Sequence, residues 1–184
     1  MYFYKMKMKK HCDLCDHQKL SLKDGDLCGL TNKKPEFNRT CVRINFDEKL
    51  LNTLEDILIE YEDLKLSKKK VYKNFISGSI IGVFLLVVGY FVFDYFLNNG
   101  FRTSLKSAEY TTTVSFIILV TGYYYLKKSI NNINNHKTQL NFIENKKKEI
   151  DEVLNLYNQK YTNKIKFDKE IHGIQEIDVD IELT

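Results

Sequence analysis

"NFISGSIIGVFLLVVGYFVF", Asn74 to Phe93, runs without a charged residue through a chain of 184 residues that is otherwise dense in Lys, Asp, Glu and Asn. Its length matches the ~20 residues an α-helix needs to cross a hydrocarbon core. A second charge-free run, "YTTTVSFIILVTGYYYL" from Tyr110 to Leu126, sits at the short end of the same range. The hydrophobic share of 43% averages these two runs with very polar surroundings and so conceals them. Two buried core helices are the competing reading, but the remaining chain offers no apolar layer to wrap them. The pattern therefore predicts a mainly α protein built on a two-helix transmembrane hairpin: a span over 74–97, a loop over 98–109 and a return over 110–126.

No cleavable apolar stretch lies near Met1, so flanking charge sets the expected orientation. Lys65, Lys68, Lys69, Lys70 and Lys73 precede the first span and Lys127 and Lys128 follow the second, whereas the loop carries Arg102 and Lys106. Positive residues stay inside, which puts both termini in the cytoplasm. Tyr72 and Tyr123 to Tyr125 then mark the inner interface, and Tyr90, Tyr95, Phe96 and Tyr110 the outer one, with Asp94 at the outer edge. Helices in lipid associate by close backbone approach at small residues. Gly78, Gly82 and Gly89 make one such stripe and Thr111, Ser115 and Gly122 another. They predict packing within the hairpin, with pairing of two chains through Gly78 and Gly82 as the rival.

The flanking segments change period. Leu50, Leu54, Ile57, Tyr61 and Leu64 advance by four, three, four and three residues, the seam of a coiled coil. A longer stripe follows the second span: Ile130, Ile133, Leu140, Ile143, Ile150, Leu154, Tyr157 and Tyr161, interrupted at His136 and Lys147. Helices over 46–73 and 127–161 would then continue the spans as a cytoplasmic antiparallel coiled-coil stalk. Lys146 to Lys148 offer contact with anionic lipid, diluted by Glu144, Glu149, Asp151 and Glu152.

All four cysteines stand ahead of these helices, in residues 1–45, spaced Cys12-x2-Cys15-x12-Cys28-x12-Cys41. A two-residue gap lets one turn present two thiolates to a single tetrahedral ion at ~2.3 Å. Gly25, Asp26 and Gly29 around Cys28 suit tight turns. The spacing predicts a small zinc-ribbon-like head holding Zn2+, with iron the other ion that four thiolates accept. The second pair lacks the CxxC of a regular ribbon, so His11 or His17 stands as an alternative to one sulfur. Leu14, Leu20, Leu22, Leu27, Leu30, Phe37 and Val42 are the main large apolar residues here. A fold of this size rarely holds by burial alone. Two disulfides are disfavoured by a reducing cytoplasm. A thioredoxin-type CxxC expects a βαβ surrounding that is missing from the sequence.

Cys12-Asp-Leu-Cys15, Gly25-Asp-Leu-Cys28-Gly-Leu-Thr31, Pro35-Glu-Phe37 and Cys41 together resemble the N-terminal cysteine module of uncharacterised small bacterial membrane proteins. The likeness covers about a sixth of the chain. It implies a metal-binding or adaptor module ahead of membrane segments, in a bacterial inner (cytoplasmic) membrane, and brings no catalytic residue with it.

The chain ends alternate: Lys5, Lys7 and Lys9 against Met6 and Met8, and Asp178, Asp180 and Glu182 against Ile177, Val179 and Ile181. Period-2 patterns of opposite charge predict paired strands over 4–10 and within the acidic tail 162–184, against the alternative of an unstructured tail. No P-loop, G-x-G-x-x-G, H-E-x-x-H or G-x-S-x-G occurs. The function expected is a membrane-anchored zinc-binding adaptor with a lipid bilayer and a protein as its partners. A thiol redox protein and a homo-oligomeric or pore-forming membrane component are the alternatives. Nucleic-acid binding finds no recognition helix beside the basic N-terminus.

Overall fold

The structure is a computed structural model and describes residues 10–37, 39–99, 105–167 and 177–184. It is mainly helical with two small antiparallel sheets. In chain order the elements are β1 (Gln18–Ser21), β2 (Gly25–Cys28), α1 (Glu48–Asn99), α2 (Leu105–Leu156), β3 (Tyr161–Phe167) and β4 (Ile177–Leu183). The chain divides into two compact units, Met1–Asp63 with Leu140–Thr184, and Leu64–Gln139.

In the unit Leu64–Gln139 the apolar side chains of α1 point outward. Ile80, Phe84, Tyr90 and Phe91 are each more than 60% exposed, and only 11% of the most apolar window of α1 is buried. A core helix of a water-soluble protein buries such a window, whereas this one leaves most of it exposed. Among the described residues α1 alone is long and apolar enough to cross a bilayer. The expected second span, 110–126, lies within α2 and is diluted by Thr112, Thr113, Ser115 and Thr121.

Small residues set how closely the two helices approach in this unit. A methyl built on Gly82 would lie 2.6 Å from Leu126 Cγ and 3.0 Å from the Gly122 carbonyl oxygen. One on Gly122 would lie 3.0 Å from the Gly82 carbonyl, and one on Gly89 2.9 Å from Leu119 Cγ; Gly78 meets the Ser129 hydroxyl. The partners run in opposite order along the two helices, so α1 and α2 approach antiparallel here. Ser115 is fully buried and donates to the Thr112 carbonyl at 2.9 Å, while Ser129 donates to Tyr125 at 2.9 Å. Each hydroxyl satisfies itself on its own helix and leaves its small volume for packing. The side chain of Thr111 lies outside the described residues. His136, expected as a break in an apolar stripe, is buried instead. Its Nε2 is 2.9 Å from the Leu64 carbonyl and 3.3 Å from the Ser67 hydroxyl, which makes it a polar link between the helices.

In the other unit, Leu50, Leu54, Ile57 and Leu58 of α1 and Ile143, Ile150, Val153 and Leu154 of α2 form the buried core. The narrow seam read from the sequence is corrected here. Leu58 and Val153 join it, so both stripes follow i, i+3, i+4, the wider face of a globular helix. Tyr61 and Tyr157 are half-buried, and Ile130, in the Leu64–Gln139 unit, is 49% exposed.

Helix α2 ends at Leu156 rather than continuing to 161. Asn158 takes a left-handed φ of 55°, its N–H donates to Asn155 at 3.3 Å, and the Gln159 N–H donates to Leu154 at 3.1 Å. These two reverse bonds close a Schellman turn and satisfy the last carbonyls. Tyr161 therefore starts β3 instead of ending a stalk helix. Its strand pairs with β4 from Tyr161↔Leu183 to Phe167↔Ile177. Period-2 alternation in 177–183 does make a strand, with Val179 buried, but its described partner is 161–167. Lys166 holds Asp180 at 2.7 Å. Residue 10 is helical, and the remainder of the proposed strand, 4–9, lies outside the described residues.

Because an L-residue in the left-handed region costs about 1–2 kcal/mol unless it is glycine or asparagine, Asn158→Gly should hold or raise stability and Asn158→Val should lower it by about that amount. Thermal denaturation of the two variants in detergent checks the order. Equal midpoints would show that the turn does not end the helix.

Candidate metal centre

Three separate turns present the four thiols. Residues 10–13 are helical, and the Cys15 N–H donates back to the Cys12 carbonyl at 3.1 Å, which places the first pair on one turn. The β1–β2 hairpin carries Cys28 at its end, in the register Gln18↔Cys28 to Ser21↔Gly25, and Gly25 supplies the positive φ of 79° that its turn requires. Past β2 the chain folds back at once: Thr31 and Asn32 N–H groups donate to the Cys28 carbonyl at 3.2 and 2.7 Å. Gly29 allows this, since its N–H reaches the His17 carbonyl at 2.6 Å and a methyl there would sit 2.8 Å from the same oxygen. Cys41 is fixed from outside the module, by donation of its N–H to the Tyr157 hydroxyl at 2.8 Å.

All four cysteines are free thiols and all line one cavity of about 500 Å3, with His17, Phe37 and Arg43 also on its wall. Among the described residues, no three Cys, His, Asp or Glu side chains stand in a group ready to grip an ion. The sulfurs surround a common space without converging on a point. They nevertheless feel one another. Burial, then the charges of Cys15, Cys41 and Cys28, push the Cys12 thiol up to about 12. Since burial and the neighbouring sulfurs penalise its thiolate, this group has no effect on stability well below pH 9 and destabilises the folded state as pH rises from about 9 toward 12. Cys28 moves the other way. Its burial is outweighed by backbone N–H bonds from Leu30 and Thr31, the Thr31 hydroxyl and the Arg43 charge, so its thiolate is favoured.

The two histidines separate in role. His17 lines the cavity, whereas His11 is 2% exposed and its Nδ1 is 2.9 Å from the Tyr157 hydroxyl. The same Tyr157 hydroxyl accepts the Cys41 N–H, so one oxygen joins both residues. Around this bond the rings of His11, Phe37, Phe46 and Tyr157 pack at centroid distances of 5.1–5.5 Å. Aliphatic burial beside this aromatic cluster is slight, as Leu14 is buried but Leu20, Leu22 and Val42 are more than 80% exposed. A second tie runs to α1, where Asp16 Oδ1 accepts the Lys49 N–H at 2.9 Å and so caps a first-turn donor. Gln18 links Asp13 at 2.8 Å, Asp26 at 3.0 Å and the Lys49 ammonium.

Sequence reasoning missed Tyr157 and Asp16. Tyr157 was read as one more apolar step of a helix stripe, although an aromatic with a polar tip at a helix end was the available signal. Asp16 carried none. No family model, curated protein or solved structure matches the chain.

Replacing Tyr157 by Phe keeps the ring but removes the acceptor for Cys41 and one partner of a buried histidine. Hydrogen bonds of this kind contribute roughly 1 kcal/mol each, and an orphaned buried group costs more. Tyr157→Phe should speed amide exchange at Cys41 while leaving exchange across β3–β4 unchanged. An unaltered Cys41 rate would show that the hydroxyl does not hold the module.

Proposed function

We propose that the chain is a membrane-anchored, metal-binding interaction protein whose Cys12, Cys15, Cys28 and Cys41 bind one Zn2+. The observation that carries this reading is that every thiol in the chain borders the same cavity. Thiolates gathered around one space repel, and a divalent cation reverses the sign of that interaction. Cys12, Cys15, Cys28 and Cys41 would hold the ion as its thiolate ligands, a donor set that Zn2+ prefers. The backbone bonds that favour the Cys28 thiolate supply the orienting shell that thiolate ligands need. Iron bound by the same thiolates is the other member of this ion class.

As an anchor, α1 crosses the bilayer and α2 returns beside it as the second arm of a transmembrane hairpin. The exposed apolar band of α1 supports this, as does the use of its glycine stripe against α2. Lysines at 65, 68, 69, 70 and 73 and at 127 and 128 favour cytoplasmic termini. The module then serves as an adaptor surface for a protein partner, and exposed Leu20, Leu22 and Val42 are the side chains it offers. A redox role for Cys12-x2-Cys15 is opposed by chemistry. An attacking cysteine needs a depressed pKa, and burial with neighbouring sulfurs drives Cys12 upward.

Membrane fractions washed with carbonate should retain the protein, and the purified chain should carry a single zinc ion. Cys15→Ser or Cys28→Ser should lower metal content severalfold. Zinc should also leave on acidification, because protons compete for the thiolates. Stoichiometric reversible Cys12–Cys15 disulfide formation in metal-lacking protein would overturn the proposal in favour of thiol redox chemistry.

A further inference from the structure

The stretch of α1 just before its apolar band carries a second surface that the metal reading does not use. Lys68, Lys69, Tyr72 and Lys73 stand directly above Ile76, Ile80 and Ile81 on one flank of the helix and border a shallow groove of about 960 Å3. Spacings of three and four residues put these side chains on neighbouring turns of one face. Tyr72, Ile76, Ile80 and Ile81 are 44–64% exposed, and the lysines are exposed. No acid occurs between Asp63 and Asp94, so nothing along this segment of α1 offsets the positive charge.

We propose that this groove is a binding site for an anionic phospholipid, with its phosphate between Lys69 and Lys73 and an acyl chain along Ile76, Ile80 and Ile81. This rests on the membrane reading above and names the lipid class which that anchor selects. Charge complementarity commits the occupant: the upper rim is cationic and the floor is apolar. A free phosphate would leave the floor in water, and a zwitterionic lipid would bring a second cation against the lysines. Anionic lipid satisfies both parts at once, since lysines near a negative leaflet are each attracted to it and an apolar floor takes the chain. Tyr72 sits at the junction, where an amphipathic ring prefers the headgroup level.

The chain contains no tryptophan, so Ile80→Trp introduces a unique fluorophore on the groove floor. The full chain carrying it is reconstituted into phosphatidylcholine vesicles that contain, at equal mole fraction, either acyl-brominated phosphatidylglycerol or acyl-brominated phosphatidylcholine. The proposal expects quenching by the brominated phosphatidylglycerol to exceed that by the phosphatidylcholine by roughly twofold or more. Adding Lys68→Gln, Lys69→Gln and Lys73→Gln should abolish the excess. Equal quenching by both lipids overturns the site and leaves the membrane anchor standing. Excess that survives the lysine replacements overturns the assignment to these residues. Absence of quenching by either lipid overturns the anchor and this site together.

Discussion

A cysteine module with too little apolar surface to hold its own shape is the constraint from which the rest of its unit follows. Most of its leucines are exposed, so burial inside the module contributes little. Its order is borrowed from the helices. Tyr157 binds both His11 and Cys41, and α1 receives a cap from Asp16 in exchange. Each tie satisfies a polar group that a terminus or a turn would otherwise leave unpaired. This is why α2 must stop where it does. A helix continued to 161 would carry Tyr157 on an uninterrupted helical face and would consume the turn that leads into β3.

The unit Leu64–Gln139 meets the opposite problem, an apolar surplus. Its helices bury a glycine and serine stripe and turn large aliphatic and aromatic side chains outward. In water that arrangement is inverted, because the smallest residues gain least from burial. In lipid it is sensible. Large side chains lose nothing by facing hydrocarbon, and small ones allow the backbone approach seen between Gly82 and Gly122. At the polar end of the same unit, His136 links the two helices through its ring nitrogen, which meets the Leu64 carbonyl and the Ser67 hydroxyl.

Legibility in the sequence followed the range of the physics. Charge-free runs, helical stripes and the alternation in 177–183 depend on neighbours within a few residues, and they located α1, much of α2 and β4. Pairings did not follow. Alternation identifies a strand without naming its partner, and opposite charge at 4–10 drew attention from Lys164 and Lys166, which lie opposite Asp180 and Asp178 in the observed register. The Asn158 turn was missed because asparagine is a weaker stop signal than glycine. The four thiols border one cavity, but contacts such as His11 to Tyr157 join residues 146 positions apart and leave no local mark.

Charge explains why the thiols remain spread around a space rather than meeting. Each thiolate formed there raises the proton affinity of the next, and burial adds to the effect, which is the pattern at Cys12. Protonated thiols attract one another weakly and have little reason to converge. Cys28 is the exception, because its turn supplies backbone donors to the sulfur whether or not the other three ionise.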